Sequence, residues 1–373
     1  MSTAFRYSEL VAGNGTGRDG KEDPMTSVLA KGRLFLLLFP AMAVGFVLQA
    51  AGLPIPFMLG GILVAACLRF TRCPALQWPK GWRELGLSVA GYGIGLHFTR
   101  ETLENLTGQT PGVLGASVLS IALAILIAAV TARHTRANLL SCVLGQLPGG
   151  LSLMMLLAEE DPRADANVVI VEQTTRLFMV VFTVPIVASL LPRGAAAAAA
   201  AAPADSLPWL VLVPLCGVGV WAACRLHVPT PTLMGPILAT SCFSVLWGAP
   251  LQPVPDLLLD VAQISVGLYM GCMLDRERLL KARETLGYCV GGTLCLIAAS
   301  MAVAFALSHF YGFGLVTAFL AMAPGGIAEM CLAGMSMGAD VSVIVTYQIV
   351  RVLLMNLTMP FLLQWYFNEN YKG

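Results

Sequence analysis

The sequence predicts an all-α polytopic membrane protein made of two homologous repeats in inverted orientation, each carrying one interrupted helix. Three observations lead there. First, the chain has 373 residues, of which 57% are hydrophobic and only 12% charged, with a mean hydropathy of +0.78. A soluble protein is about a quarter charged because its surface faces water. Second, the apolar residues gather in runs of about 20, enough for a helix to cross about 30 Å of hydrocarbon at 1.5 Å per residue. Third, one pattern of Pro, Gly, Gln and Arg occurs twice, at an offset of 175 to 176 residues. Helices are the spanning form because lipid offers no partners to open strand edges.

Taken along the chain, residues 1–31 are polar and lack the apolar core of a signal peptide, so they read as a disordered cytoplasmic leader. Repeat 1 occupies 32–193, with apolar segments near 34–52, 56–71, 84–98, 111–132, 139–158 and 166–192. An Ala-rich linker follows at 194–207, containing an unbroken run from Ala195 to Ala202. Repeat 2 occupies 208–367, with segments near 208–224, 232–248, 257–274, 287–308, 315–335 and 341–366, and 368–373 is a short tail. Pro54-Ile55-Pro56 matches Pro229-Thr230-Pro231, and Gly91, Gly95, Arg100 and Glu101 match Gly267, Gly271, Arg276 and Glu277. Pro148-Gly149-Gly150 matches Pro324-Gly325-Gly326, and Asp165, Gln173 and Arg176 match Asp340, Gln348 and Arg351. This ordered recurrence is the mark of an internal duplication.

The fifth segment of each repeat is interrupted centrally by its Pro-Gly-Gly. Proline removes a donor and clashes with the preceding turn, and glycine lowers the cost of a break. Such a segment either crosses as a broken helix or re-enters as a hairpin. Charge placement separates the two. If the fifth segments do not cross, about five helices span in each repeat and the repeats are inverted. All loop Lys and Arg except Arg100 and Arg193 then fall on the inner side with the leader and tail. That agrees with the bias of basic loops towards the cytoplasm, and full crossing of all segments does not.

Inverted repeats with broken helices near mid-bilayer are a recurring construction of secondary transporters. A break exposes free N–H groups on one side and free carbonyls on the other. The candidate binding residues are therefore Pro148, Gly149, Gly150, Pro324, Gly325 and Gly326. The sixth segments add Gln173 with Arg176 and Gln348 with Arg351, each pair three apart on one helix face. Intramembrane charges are costly and usually face the interior with a partner. Glu172 is the natural partner for Arg176, and Glu329 for Arg351. The arginines, with the N–H ends of the breaks, would hold an anionic solute, and Glu329 would be a coupling group; a purely structural Arg–Glu pin is the other reading. Asp165 and Asp340 read as helix N-caps. Gly91/Gly95 and Gly267/Gly271 have G-x-x-x-G spacing and read as packing sites. Gly60/Gly61 after Pro54 and Pro56 suit a helix start behind a tight turn.

Other chemistry finds little footing. Net charge is +1, so no basic field holds nucleic acid. Ten Cys are scattered through apolar stretches as small hydrophobes, and His97, His134, His227 and His309 stand apart, which gives no metal or cofactor motif.

At these motifs the sequence resembles the bacterial membrane AbrB family, which is distinct from the small soluble DNA-binding protein of the same name. Each copy of that family's duplicated domain looks like Pro-Gly-Gly-x-x-Glu-Met, then Ala-Asp, then Gln-x-x-Arg. The second copy here fits as Pro324-Gly325-Gly326-Ile327-Ala328-Glu329-Met330, Ala339-Asp340 and Gln348-Ile349-Val350-Arg351. The first departs at Leu153, where the pattern has Glu, and carries an insertion with Glu159, Glu160 and Asp161. The resemblance spans about 34–366 and implies a multi-pass protein of the bacterial inner membrane with a cytoplasmic N-terminus. Members carry the labels ammonia monooxygenase and AbrB-type regulator.

The leading expectation is a non-enzymatic secondary transporter of a small anionic solute, with the lipid bilayer and that solute as partners and a homo-oligomer left open. The alternative is a membrane-embedded regulator that alters gene expression indirectly, since no loop is long enough for a DNA-binding domain. A monooxygenase would need clustered metal ligands, which the isolated histidines do not supply.

Overall fold

The structure, a computed structural model, describes residues 35–71, 73, 76–98, 109–135, 137–192, 213–226, 228–247, 251–281 and 283–369. The leader expected at 1–31, the linker at 194–207, and Arg100, Glu101 and Arg193 lie outside the described residues, as does 370–373 of the tail.

The described chain is helical. Its first half holds α1 (Leu38–Ala50), α2 (Pro56–Thr71), α3 (Lys80–Gly95), α4 (Thr110–His134), α5 (Leu139–Gln146), α6 (Leu151–Glu160) and α7 (Ala166–Ser189). Its second half holds α8 (Val213–Arg225), α9 (Pro231–Trp247), α10 (Asp256–Gly271), α11 (Arg276–Lys281), α12 (Arg283–Tyr311), α13 (Leu315–Met322), α14 (Ile327–Met337) and α15 (Val341–Glu369). Pro56 and Pro231 open α2 and α9 at the first helical position, where a missing N–H costs nothing. Ile55 and Thr230, each held between two prolines, take positive φ of 47° and 48°, which β-branched residues rarely adopt.

The helices sort by position within each half. The first three of both halves pack together, with α2 against α10 and α3 against α9. Gly91, Gly95 and Gly271, expected to pack, do so across these crossings, and so does Gly61, expected only at a helix start. A Cβ on Gly61 would lie 2.7 Å from the Ile264 carbonyl oxygen, and one on Gly271 2.6 Å from that of Ile62. A Cβ on Gly91 would lie 2.6 Å from the Leu233 oxygen, and one on Gly95 2.9 Å from that of Ile237. Backbone approach of this kind is what small-residue spacing permits. Arg69 fastens the end of α2 to the end of α10 by donating to the Cys272 carbonyl at 2.6 Å.

The remaining helices form the second group. Here α4 packs on α12 and α15, α7 on α12, and each interrupted segment on the sixth helix of its own half. Both interrupted segments fold back as hairpins. The Asp165 N–H donates to Ser141 Oγ at 2.8 Å, and Asn138 Nδ2 donates to the Arg163 carbonyl, so the start of α5 and the end of α6 lie side by side. The Asp340 N–H donates likewise to Thr317 Oγ1 at 3.0 Å, closing α13–α14. The two hairpins start from opposite ends of the group. His134, at the end of α4, stacks on Tyr288 near the start of α12 at 6.0 Å. A Cβ on Gly112, at the start of α4, would meet the Tyr311 ring at the end of α12 at 2.6 Å. Helices α4 and α12 are therefore antiparallel, and the hairpins that follow them enter from opposite ends.

Four described helical stretches are long and apolar enough to cross a membrane: Pro111–His134, Ala166–Ser189, Thr285–Tyr311 and Val341–Met359. Leu38–Ala50, Pro56–Thr71, Val213–Arg225 and Pro231–Leu246 are apolar but shorter than these four stretches, and Pro56–Thr71 coincides with the apolar segment read from the sequence.

Candidate functional site

Both breaks have one construction. The residue before each proline leaves the helical region, Leu147 at φ −68°, ψ 125° and Ala323 at φ −55°, ψ 137°, as proline demands of its predecessor. The chain then turns tightly, with the Gly149 N–H donating to the Leu147 carbonyl at 2.7 Å and the Gly325 N–H to the Ala323 carbonyl at 2.8 Å. Helices α6 and α14 start immediately after Gly150 and Gly326.

The sixth helices serve the carbonyl side of the breaks. Helix α7 is capped by Asp165, whose carboxylate accepts from the Asn167 N–H at 2.8 Å. Helix α15 is capped by Asp340, which accepts from the N–H groups of Ser342 at 3.1 Å and Val343 at 3.3 Å. Two to three turns on, Gln173 Nε2 donates to the carbonyls of Leu144 at 2.7 Å and Leu147 at 3.1 Å. Gln348 Nε2 donates to those of Leu320 at 2.9 Å and Ala323 at 3.1 Å. Arg176 donates to the Gly145 carbonyl at 3.1 Å and to Gln173 Oε1 at 2.7 Å. Arg351 donates to the carbonyls of Met322 at 3.2 Å, Ala323 at 2.8 Å and Gly325 at 3.2 Å, and to Gln348 Oε1 at 2.5 Å.

These bonds correct the expected pairing. Arg176 forms no ion pair with Glu172, nor Arg351 with Glu329. Each guanidinium sits instead at the C-terminal end of a half-helix, where unpaired carbonyls and the negative end of the helix dipole compensate a buried cation. The arginines are thus spent on the carbonyl ends, away from the N–H ends. Both are buried, Arg351 to 1% exposure and Arg176 to 6%.

Each break reaches the sixth helix of the other half. A Cβ on Gly325 would touch Val180 Cγ1 at 3.0 Å, and one on Gly149 would lie 3.6 Å from Met355 Sδ. Val180 and Met355 stand one turn beyond Arg176 and Arg351, so each sixth helix reaches the other half's hairpin tip. The two guanidinium charges are near enough to oppose one another. Pro148 and Pro324 are buried, whereas Gly149, Gly325 and Gly326 are half-buried and Gly150 is exposed.

The N–H sides differ between the halves. Glu329 lies in the first turn of α14 with its carboxylate folded over Gly326 and onto its own N–H, and Arg83 of α3 is the cation whose field reaches it. A carboxylate is the complement of a helix N-terminus. In α6 the corresponding position is Leu153, so that terminus carries no acidic side chain of its own in the first turn.

Sequence reasoning missed Ser141 and Thr317. These hydroxyls hold the two aspartate caps from the helices across the hairpin. The signal was present, since they share the offset of 176 residues with the Pro-Gly-Gly motifs. Among the described residues no group of three or more His, Cys, Asp or Glu is placed to hold a metal ion.

Comparison with known proteins finds relatives over most of the chain. The chain is 29% identical over 345 residues to “Uncharacterized protein YhjN” of Bacillus subtilis (strain 168), covering 85% of this chain and 88% of that protein. It is 26% identical over 330 residues to “Putative regulator AbrB” of Escherichia coli (strain K12), covering 86% and 91%. The family model described as “Transition state regulatory protein AbrB” matches residues 57–367. The chain, a helical protein with apolar helices suited to a bilayer, belongs to the AbrB family.

Proposed function

We propose that this protein is a secondary transporter of a small anionic solute, working without covalent chemistry in the bacterial inner membrane with its N-terminus in the cytoplasm. In this reading the halves are inverted repeats of five crossing helices and one re-entrant hairpin each. The observation that carries it is that two hairpin tips, entering from opposite ends, each reach the other half's sixth helix one turn beyond its arginine. Helices α5 and α13 have 8 residues each, a reach of about 12 Å, close to half of a hydrocarbon core of about 30 Å. Each tip therefore reaches about mid-depth, and irregular backbone there is tolerated where it lines a cavity. Opposed tips around one central site are suited to alternating access.

The chemistry favours an anion at the first half's break. Glu329 serves as a built-in anion for the N-terminus of α14. The N-terminus of α6 has no such group and begins at the exposed Gly150, so a carboxylate or similar solute would complete it. Arg176 and Arg351 hold the half-helix ends in place rather than touching the solute. Purified protein in proteoliposomes should show uptake or exchange of at least one member of a panel of small carboxylates and inorganic anions. Arg351→Ala should abolish that flux. No flux of any panel member that responds to Arg351→Ala would overturn the proposal. The family description and the name of the E. coli relative favour a second reading, indirect regulation of gene expression. A deletion strain with altered transcripts and unaltered solute pools would support it over transport.

A further inference from the structure

The buried acid left unused by the site above is Glu172, on α7 one residue before Gln173. It is 1% exposed, and no N–H or O–H donates to either of its oxygens. Its carboxylate lies against Gly145 of α5, where a Cβ would collide with it. The titratable groups that act on it are Cys289 of α12, Cys142 of α5 and Arg176 on its own helix. Thiols are weak donors, and Arg176 is committed to the Gly145 carbonyl and Gln173. An ionised carboxylate left without a partner in such a place is strongly disfavoured, because nothing repays its desolvation. The second half offers an internal comparison. Its residue one before Gln348 is Tyr347, also 1% exposed and also without a partner for its hydroxyl. This position accepts a polar group that carries no charge.

We propose that Glu172 is a proton-binding site, occupied by a proton in this conformation. A proton taken from water onto one carboxyl oxygen removes the uncompensated charge and leaves an acid that fits between the two thiols. Resting on the transport reading above, the site is then where proton movement is coupled to the solute. Parting of α5 and α7 would admit water to Glu172 and release the proton.

The test uses the full-length wild-type protein. Dicyclohexylcarbodiimide reacts with protonated carboxyl groups in apolar surroundings, and peptide mass mapping should find its adduct on Glu172 at neutral pH. The infrared carbonyl band of protonated carboxyl groups should lose a component in Glu172→Gln and none in Glu159→Gln, a change at an exposed residue. Glu172→Tyr, which installs the second half's residue, should lose the same component. Folded wild-type protein without an adduct on Glu172 overturns the proposal, whichever variants fold. The two readings separate cleanly. An adduct without any solute flux leaves the proton site standing and removes its coupling role. Solute flux without an adduct, and insensitive to a pH gradient, does the reverse.

Discussion

Replacing the two buried arginines by methionine should have unequal effects, and the inequality follows from their bonds. Arg351 donates four hydrogen bonds, three of them to backbone carbonyls of the break, whereas Arg176 donates two, one of them to a carbonyl. Methionine keeps much of the volume and removes every donor. Each variant is relieved of one desolvated cation and of the repulsion between the pair, so these effects largely cancel in the comparison. What remains is two further charge-assisted bonds lost at Arg351, about 1.5–3 kcal/mol each. The Arg351→Met variant should thus be less stable than Arg176→Met by roughly 3 kcal/mol or more. At about 2 °C per kcal/mol for a large chain, that is on the order of 6 °C in apparent midpoint. Heating detergent-purified variants and measuring the monodisperse fraction by size-exclusion chromatography gives the comparison directly. Equal midpoints, or a lower one for Arg176→Met, would refute the claim that carbonyl bonding at the breaks holds these side chains.

Other outcomes follow from the same geometry. Gly61→Ala should destabilise by about 1–3 kcal/mol, because its Cβ meets the backbone of α10 at 2.7 Å. Gly287→Ala, with open space around it, should gain about 0.5–1 kcal/mol instead; thermal midpoints of the two variants check the contrast. Asp340→Ala removes the cap of α15 and should cost about 1–2 kcal/mol, seen as faster amide exchange in the first turn of that helix. In the loop before α7, hydrogen bonds from Arg163 hold the Asp161 carboxyl below its ordinary range. Its small stabilisation is complete above the ordinary aspartate pKa and lost as pH falls through the lowered native value. Arg163→Ala should flatten that acid limb of the stability profile, and an unchanged limb would contradict the assignment.

Much of this architecture was legible in the sequence, because the chain marks its breaks with residues whose backbone effects are local. Pro148 and Pro324, each followed by two glycines, end their helices, whereas Pro185 and Pro236 stay inside theirs, and Asp165 and Asp340 cap the helices that start after them. The spacing of Gly91, Gly95, Gly267 and Gly271 pointed to close approach, although not to the helices they approach. The partners of Arg176 and Arg351 were not legible. Sequence proximity suggested Glu172 and Glu329, while the backbone acceptors are the carbonyls of Gly145 for Arg176 and of Met322, Ala323 and Gly325 for Arg351, which carry no side-chain signature. Backbone acceptors at a helix end are invisible to any reading based on residue type. The choice between crossing and folding back rested on charge bias alone, whereas in the structure the bonds of Asn138, Ser141 and Thr317 close the hairpins by local chemistry.

Those two hydroxyls have a mechanical consequence. Together with Gln173, Arg176, Gln348 and Arg351 they rivet each hairpin to the sixth helix of its own half by directional, polar bonds. Between the halves the tips touch through Val180 on Gly325 and Met355 on Gly149, contacts with no preferred angle and, for methionine, an adaptable side chain. Within this second group of helices, stiffness therefore runs between each hairpin and its own sixth helix, and slip is favoured where a tip touches the other half. A displacement of one half past the other costs no hydrogen bond at the tips, and each hairpin travels as a single piece with the helix that carries its arginine.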